Sequence, residues 1–234
     1  MKTIVISVGG SVLIPTLNTH IIHQYATVLK HISKQFRLFI VVGGGGEARK
    51  YISVARSCHT DEASCDEIGI LVTRLNAQLL IHALGEYAYP KVAENYTDAC
   101  TFGIFERIVI MGGVTPGQTT DAVSVVLAER VHADILINAT SVDGIYSADP
   151  KIDSTATRFD VISPTQLVEI VSKGSMGAGS NNVMDLVSVK LVQRCNIPLI
   201  VLDGTNPNAI ITALEQGTIN GTLVSADSIS PLPL

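Results

Sequence analysis

Short apolar runs that stop at glycine, each followed by a helical pattern, recur along this chain and constrain its fold more than any other feature. Residues 3–8 (TIVISV) read as a buried strand ending at Gly9 and Gly10. Residues 18–36 then place Ile21, Ile22, Tyr25, Val28, Leu29, Ile32 and Phe36 on one helical face. A second strand, 39–42, runs straight into Gly43, Gly44, Gly45 and Gly46. Helices are predicted at 47–56 and 66–85, and a strand at 107–111 ends at Gly112 and Gly113. A helix at 121–131 and a strand at 134–138 follow. Ser163 as N-cap and Pro164 at the first helical position open the next helix. Beyond a loop at 174–182 come a helix through Arg194, a strand at 199–202 and a short helix from Pro207. The tail from Ser225 reads as poorly ordered. Such alternation specifies an α/β protein with a mostly parallel sheet. Ligands of such sheets sit beyond the carboxyl ends of the strands, which is where the glycines fall.

Composition narrows the function classes. The chain has 234 residues, 47% hydrophobic and 5% aromatic with no Trp, which suits a parallel sheet covered on both faces. That length fits one domain, or two fused halves sharing a sheet, and buries roughly 70% of the unfolded surface without staples. The formal net charge of -5 argues against a nucleic-acid-binding surface, but it does not exclude a local phosphate site. The N-terminal apolar run is too short for a membrane span and has no signal-cleavage pattern. Cys58, Cys65, Cys100 and Cys195 are scattered without metal-ligand spacing and read as free thiols of a reducing compartment. The six histidines do not cluster, and His20, His23 and His31 read as solvated.

Four segments carry chemistry. In VVGGGGEARKY (41–51) a strand meets glycines that open a helix, offering backbone N–H groups and a positive helix end to an anion. Arg49, one turn in, can reach back toward phosphate oxygens. The run is neither a Walker A loop nor a G-x-G-x-x-G fingerprint. Gly9-Gly10-Ser11 is a weaker version of the same device, and two such loops suggest two anions held close together. MGGVTPGQTTDAV (111–123) supplies a third glycine-rich loop, in which Thr119, Thr120 and Asp121 include the ordinary N-cap of the next helix. NATSVDGIYSADP (138–150) contains two turn signals, Asp143-Gly144 and Asp149-Pro150, and reads either as surface turns or as a rest for a base and ribose on Tyr146.

Taken in order, VGGSVL, VVGGGGEARKY, DEIGILVTRLNAQLL, VIMGGVTPGQTTDAV, NATSVDGIYSADPKID, VMD and NGT resemble the amino-acid kinase superfamily, and within it the archaeal-type UMP kinases. D-x-x-G followed by T-R-x-N-A (66–77) and Q-T-T-D-A-V (118–123) carry the resemblance to that branch. It implies a three-layer α/β/α sandwich, with an acceptor half at about 1–130 and an ATP half at about 131–234. On matching positions it implies that Gly44, Asp66 and the loop of Val114, Thr115, Pro116, Gly117, Gln118, Thr119 and Thr120 bind UMP, with Asp66 on the ribose hydroxyls. Gly9, Gly10, Gly45, Arg49, Thr140, Tyr146 and Asp149 would bind ATP, and Asp121 and Asp185 would organise the transfer site. Many members carry a Lys two residues before the first glycine, where this chain has Ser7; the archaeal branch lacks it too.

The expectation is therefore a cytoplasmic kinase converting ATP and UMP to ADP and UDP by in-line transfer. Mg²⁺ would bridge the donor phosphates, no protein side chain is assigned to a metal, and the resemblance implies a hexameric homo-oligomer. Arg49, Lys173 or Lys190 would supply the charge that the missing lysine does not, Arg49 being favoured by its place beside a phosphate loop. Two rivals stand beside this reading. One is another kinase of the same fold, acting on isopentenyl phosphate or an acyl carboxylate; the other is a non-catalytic nucleotide or oxyanion binder.

Overall fold

A computed structural model describes residues 1–15, 19–150, 152–174, 183–226 and 231–234, with backbone only at 19, 173 and 174. Seven strands form one sheet: β1 (Lys2–Val8), β2 (Phe36–Val42), β3 (Val109–Met111), β4 (Ile135–Thr140), β5 (Val161–Ile162), β6 (Leu199–Asp203) and β7 (Gly221–Val224). Their spatial order is β3-β2-β1-β4-β6-β7-β5. Every pairing is parallel except β6 with β7. Nine helices fall within the described residues: α1 (Gly10–Leu13), α2 (Thr19–Ile32), α3 (Gly45–Ser57), α4 (Glu62–Leu84), α5 (Tyr96–Phe102), α6 (Thr120–Arg130), α7 (Pro164–Gly174), α8 (Leu186–Cys195) and α9 (Asn208–Gln216).

The central strands carry apolar side chains on both faces, so each must be covered twice. Ile4, Ile6, Leu38 and Ile40 pack with Tyr25, Leu29, Leu80 and Leu214 on one side. Val5, Phe39, Val41 and Leu136 pack with Val123, Leu127, Val189 and Val192 on the other. Fully burying one such side chain contributes about 1.5–3 kcal/mol, and the two clusters together hold the three layers. The chain walks outward from β1 to β2 to β3, then returns to place β4 on the opposite side of β1. That reversal makes the gap between the carboxyl ends of β1 and β4 the switch point where such sheets bind ligands.

Several boundaries differ from those predicted. The helix expected at 18–36 stops at Ile32, and Phe36 opens β2, pairing with Lys2. Phe36 kept the helical spacing only because both elements bury the same face. The glycines expected to form a loop before α3 are partly helical, since Gly45 and Gly46 are its first two residues. Asp61 caps α4 by accepting from Ser64 N, which starts that helix earlier than expected. Ser163 and Gln166 form a reciprocal cap on α7, Ser163 Oγ accepting from Gln166 N at 3.2 Å and Gln166 Oε1 from Ser163 N at 2.8 Å. The short strands β5 and β7 and helix α5 have no counterpart among the predicted elements. Of the predicted loop at 174–182, Gly174 is instead the last residue of α7, and 175–182 lie outside the described residues, as does part of the predicted tail, 227–230.

Candidate active site

Four connections leave the same carboxyl edge of the sheet: 9–10 after β1, 43–44 after β2, 112–119 after β3 and the stretch after β4. The first two interlock. A Cβ on Gly10 would lie 2.3 Å from Gly45 N and 2.4 Å from Gly43 O, and one on Gly45 would lie 2.5 Å from Gly10 C. Gly45 also has φ of +65°, a conformation that favours glycine. These glycines let two backbones touch. Gly44, the α3 N-cap, likewise has no room for a side chain, whose Cβ would sit 2.5 Å from that of Ala48. Gly9 and Gly46 differ. A Cβ on Gly9 would meet nothing closer than 3.6 Å, and one on Gly46 only Arg49 Nη2 at 4.0 Å. Nothing among the described residues requires glycine there, so their missing side chains leave space that a ligand can use. The Gly9 amide itself donates to Ala139 O at 3.0 Å, so Gly9 offers close approach rather than a free donor.

Among the described residues no side chain caps α3, whose first amides and helix dipole remain available to an anion. Arg49 is exposed one turn in, its guanidinium folded back over Gly46. Asn76, buried on α4, donates to Gly43 O at 2.9 Å and Gly44 O at 3.4 Å. That draws the loop carbonyls toward α4 and away from an incoming phosphate.

The 112–119 loop crosses from β3 to α6 and is fastened along its length. Thr73 Oγ1 accepts from Gly113 N at 2.7 Å, and Asp66 Oδ2 accepts from Gly117 N at 2.8 Å. The Tyr96 hydroxyl donates to Gln118 Oε1 at 3.4 Å, and Thr119 Oγ1 donates to Asp185 Oδ2 at 2.5 Å. Val114 tucks against the core, while Thr115, Gln118 and Thr119 stay exposed and Pro116 is half-buried. Asp66 thus stands beside the loop predicted to share its ligand. Thr120 Oγ1 lies 3.4 Å from where a Cβ on Gly43 would be, bringing the 112–119 loop and the start of α6 against the glycine corner.

Two carboxylates meet at this junction with opposite titration behaviour. Asp121 accepts from Ser7 Oγ at 3.0 Å. Burial pushes it up to about 6, the Ser7 hydroxyl pulls it down and the charge of Asp185 pushes it further up. Asp185 caps α8, accepting from Val187 N at 2.8 Å and Ser188 N at 3.0 Å. Burial would raise it, but the Ser188 and Thr119 hydroxyls and those amides hold it below the usual carboxylate range. It is a charged anchor for Thr119, whereas Asp121 is the carboxylate whose charge is poorly compensated.

Residues 2–203 match the amino acid kinase family. This chain belongs to that family. Along its whole length this kinase is similar to the uridylate kinase of Methanoculleus marisnigri, 56% identical over 233 residues with 100% of each chain covered. The uridylate kinase of Methanoregula boonei is 55% identical over 234 residues, again with 100% of each covered. Among solved structures, the uridylate kinase from Archaeoglobus fulgidus superposes with a TM-score of 0.86 at 45% identity, covering 96% of this chain and 100% of that one. The UMP kinase from Ureaplasma parvum gives 0.78 at 25% identity, covering 96% and 98%.

On the predicted donor side of this amino acid kinase, Thr140 ends β4 with its Cα 3.9 Å from a Cβ position on Gly9. Its carbonyl accepts from Gly204 N at 2.8 Å, and Tyr25 holds Gly204 O from below at 2.8 Å. Tyr146 donates to Asp143 at 3.0 Å, a carboxylate that also pairs with Arg158 at 2.9 Å. Its hydroxyl is engaged there, so a nucleotide would meet its ring. Asp149 forms the turn beyond, its carbonyl accepting from Ile152 and Asp153 N. Lys190 lies exposed on α8, and the Lys173 side chain is outside the described atoms. In the sequence, Thr73 and Asn76, the residues that fasten both loops to α4, are only letters of the T-R-x-N-A pattern. Two polar residues three apart on the otherwise apolar, buried face of α4 are the signal that marks them.

Proposed function

We propose that this kinase phosphorylates UMP to UDP at the expense of ATP, by direct in-line transfer, within pyrimidine nucleotide synthesis. The observation that carries the reading is the Asp66–Gly117 contact. It sets a carboxylate suited to ribose hydroxyls beside the loop that abuts the uncapped glycine helix. Full-length similarity to uridylate kinases supports the same substrate pair. In this reading the half at about 1–130 takes UMP through Gly44, Asp66 and 114–120, and the half at about 131–234 contributes Thr140, Tyr146 and Asp149 to the ATP side.

The UMP phosphate is itself the nucleophile and is ionised, so no general base is required. Transfer then depends on alignment and on stabilising charge over the moving phosphoryl group. The α3 amides and Arg49 supply the positive side. Asp121, kept in place by Ser7, and Thr119, anchored on Asp185, fix the approach of the acceptor. Mg²⁺ fits a site of this kind as a passenger on the nucleotide. Among the described residues no cluster of three or more metal-ligating side chains occurs, and such ions are commonly held by phosphates plus one or two carboxylates. When bound, it would neutralise donor-phosphate charge, with Asp121 as the available carboxylate.

We also read the chain as a cytoplasmic homo-oligomer, hexameric by family resemblance. Leu71, Leu75 and Leu79 form an exposed stripe on α4, with Tyr51 and Val54 exposed on α3. Residues 62–87 include a helix long and apolar enough to cross a membrane, and this uncovered stripe accounts for part of that character. All four cysteines are free thiols, as a reducing compartment allows.

A coupled assay with ATP, Mg²⁺ and separately UMP, CMP, dUMP and isopentenyl phosphate tests the assignment. ADP release strongest with UMP is expected; none with UMP would overturn it. Arg49→Ala should lower kcat and raise the KM for ATP, and near-normal values would remove Arg49 from the mechanism.

A further inference from the structure

The switch point between β1 and β4 holds one polar side chain that the site described above does not use. Asn138 lies on β4 in register with Ser7 on β1, and each is 2% exposed. Side chains alternate along a strand, so Asn138 shares a face with Leu136, and Ser7 with Val5. Leu136 and Val5 pack beneath α6 and α8, whose N-terminal ends carry Asp121 and Asp185. Ser7 spends its hydroxyl hydrogen on Asp121. The Asn138 side-chain Nδ2 is buried and has no hydrogen-bond partner among the described residues. A buried donor left unpaired is costly, and the great majority of such groups are satisfied. An orphan at the ligand end of a parallel sheet is therefore a donor whose acceptor arrives from outside. On the same carboxyl edge, beyond β1, the glycine corner of α1 and α3 offers the uncapped α3 amides to an anion.

We propose that Asn138 is a further nucleotide-binding residue. Its amide donates to an anionic oxygen of the transferable phosphoryl group, directly or through one ordered water, from the β4 side of the switch point. Ser7 and Asn138 then divide the work. Ser7 orients Asp121 and the amide meets the phosphoryl, so a neutral pair on adjacent strands serves where a single cation is absent. This rests on the kinase reading above but not on the identity of the acceptor.

The test compares wild type with Asn138→Leu and Asn138→Asp, both close in size. It reads the melting temperature without ligand, the KM values for ATP and UMP, kcat, and equilibrium binding of a non-hydrolysable ATP analogue with Mg²⁺. Asn138→Leu removes an unpaired buried amide, so the unliganded protein should melt no lower than wild type. Loss of one hydrogen bond to a charged group should cut kcat/KM for ATP roughly 10- to 100-fold. The KM for UMP should stay unchanged. Asn138→Asp, which puts an anion where a donor was, should lose more. A kcat/KM for ATP within about two-fold of wild type in Asn138→Leu overturns the proposal, and so does a melting temperature that falls together with activity. Should the wild-type chain not phosphorylate UMP, the acceptor assignment fails separately. The proposal is then decided by analogue binding alone: about ten-fold weaker binding in Asn138→Leu supports it, and equal binding overturns it.

Discussion

Two stretches of backbone face the same crevice, and they are held by different means. At the corner where α1 and α3 begin, backbone lies on backbone, with no space at Gly10 or Gly45 for even a methyl group. The 112–119 loop is instead fastened by side chains, through Thr73, Asp66, Tyr96 and Asp185. Backbone contact of the first kind has no rotamer through which to relax, so the phosphate corner is set before any ligand arrives. The tethered loop can release one hydrogen bond at a time, and a loop so held can reshape around its acceptor. Under the proposed assignment of the corner to phosphate and of the loop to the acceptor, a phosphoryl-transfer site gains from that division, because alignment must be fixed while the acceptor must enter and leave.

The harshest way to break the comparison is a single methyl group. Gly10→Ala forces the two loops apart, and overpacking on this scale should cost about 3 kcal/mol or more. In a chain of this size, about 1 kcal/mol shifts Tm by roughly 2–4 °C, so a loss near 10 °C or failure to fold is expected by thermal melting. Gly46→Ala, with open space around its Cβ, should melt like wild type and show its effect in the KM for ATP. Equal melting of the two variants would refute the claim that the corner is rigid.

Cutting the far anchor of the acceptor loop comes next. Asp185→Ala removes the α8 cap and the partner of Thr119 together, and the loss of the cap should cost about 1–2 kcal/mol. Activity should fall further than stability explains, since Thr119 is the N-cap of α6 and Asp121 lies in its first turn, two residues on. Asp185→Asn should recover most of the melting temperature, because a neutral amide oxygen still caps, but less of the activity. If activity merely tracks the melting temperature, Asp185 is a helix cap and nothing more.

The two regions also differ in how far the sequence reveals them. The glycine corner is legible, because only glycine tolerates such contact and four in a row exceed what a turn needs. The loop is legible through Gly112, Gly113 and Gly117, but its fastenings are not. Thr73 and Asn76 act by side-chain bonds to backbone forty or fewer positions away along the chain, and no periodic pattern records such pairings. The same reasoning separates the strands. β1, β2, β4 and β6 announce themselves as apolar runs covered on both faces. β5 and β7 are short and held by context: Leu223 N donates to Asp160 O and Thr222 Oγ1 accepts from Ile145 N. Asp185 could be placed by resemblance alone, and its capping geometry appears only when Ser188 and Thr119 close around it.

A gentler probe acts on the near anchor. Asp66→Asn keeps the size of the side chain and removes the charge that receives Gly117 N. Charge-assisted hydrogen bonds are about twice as strong as neutral ones, so the KM for UMP should rise roughly ten-fold with ATP parameters unchanged. The ribose assignment sharpens further with dUMP. Discrimination between UMP and dUMP should shrink in the variant, and if it persists in full, Asp66 positions the loop without touching the sugar.

A last probe lies where the two regions meet, in the pH dependence contributed by Asp121. Its carboxyl is raised from 3.8 to about 6 by burial, so between those values the folded chain holds a proton that the unfolded chain has released. Stability must then fall as pH rises across that window, with the penalty complete above about 6. Asp185 has the opposite sign, since its lowered value stabilises the fold above the ordinary carboxylate range and that contribution is lost as pH falls. The difference in melting temperature between Asp121→Asn and wild type isolates the first from the second. It should grow in favour of the variant from about pH 4 to pH 6 and then level off. A difference that stays flat would mean that the Ser7 hydroxyl outweighs burial, and that Asp121 enters the crevice as an ordinary carboxylate whose charge Ser7 alone sustains.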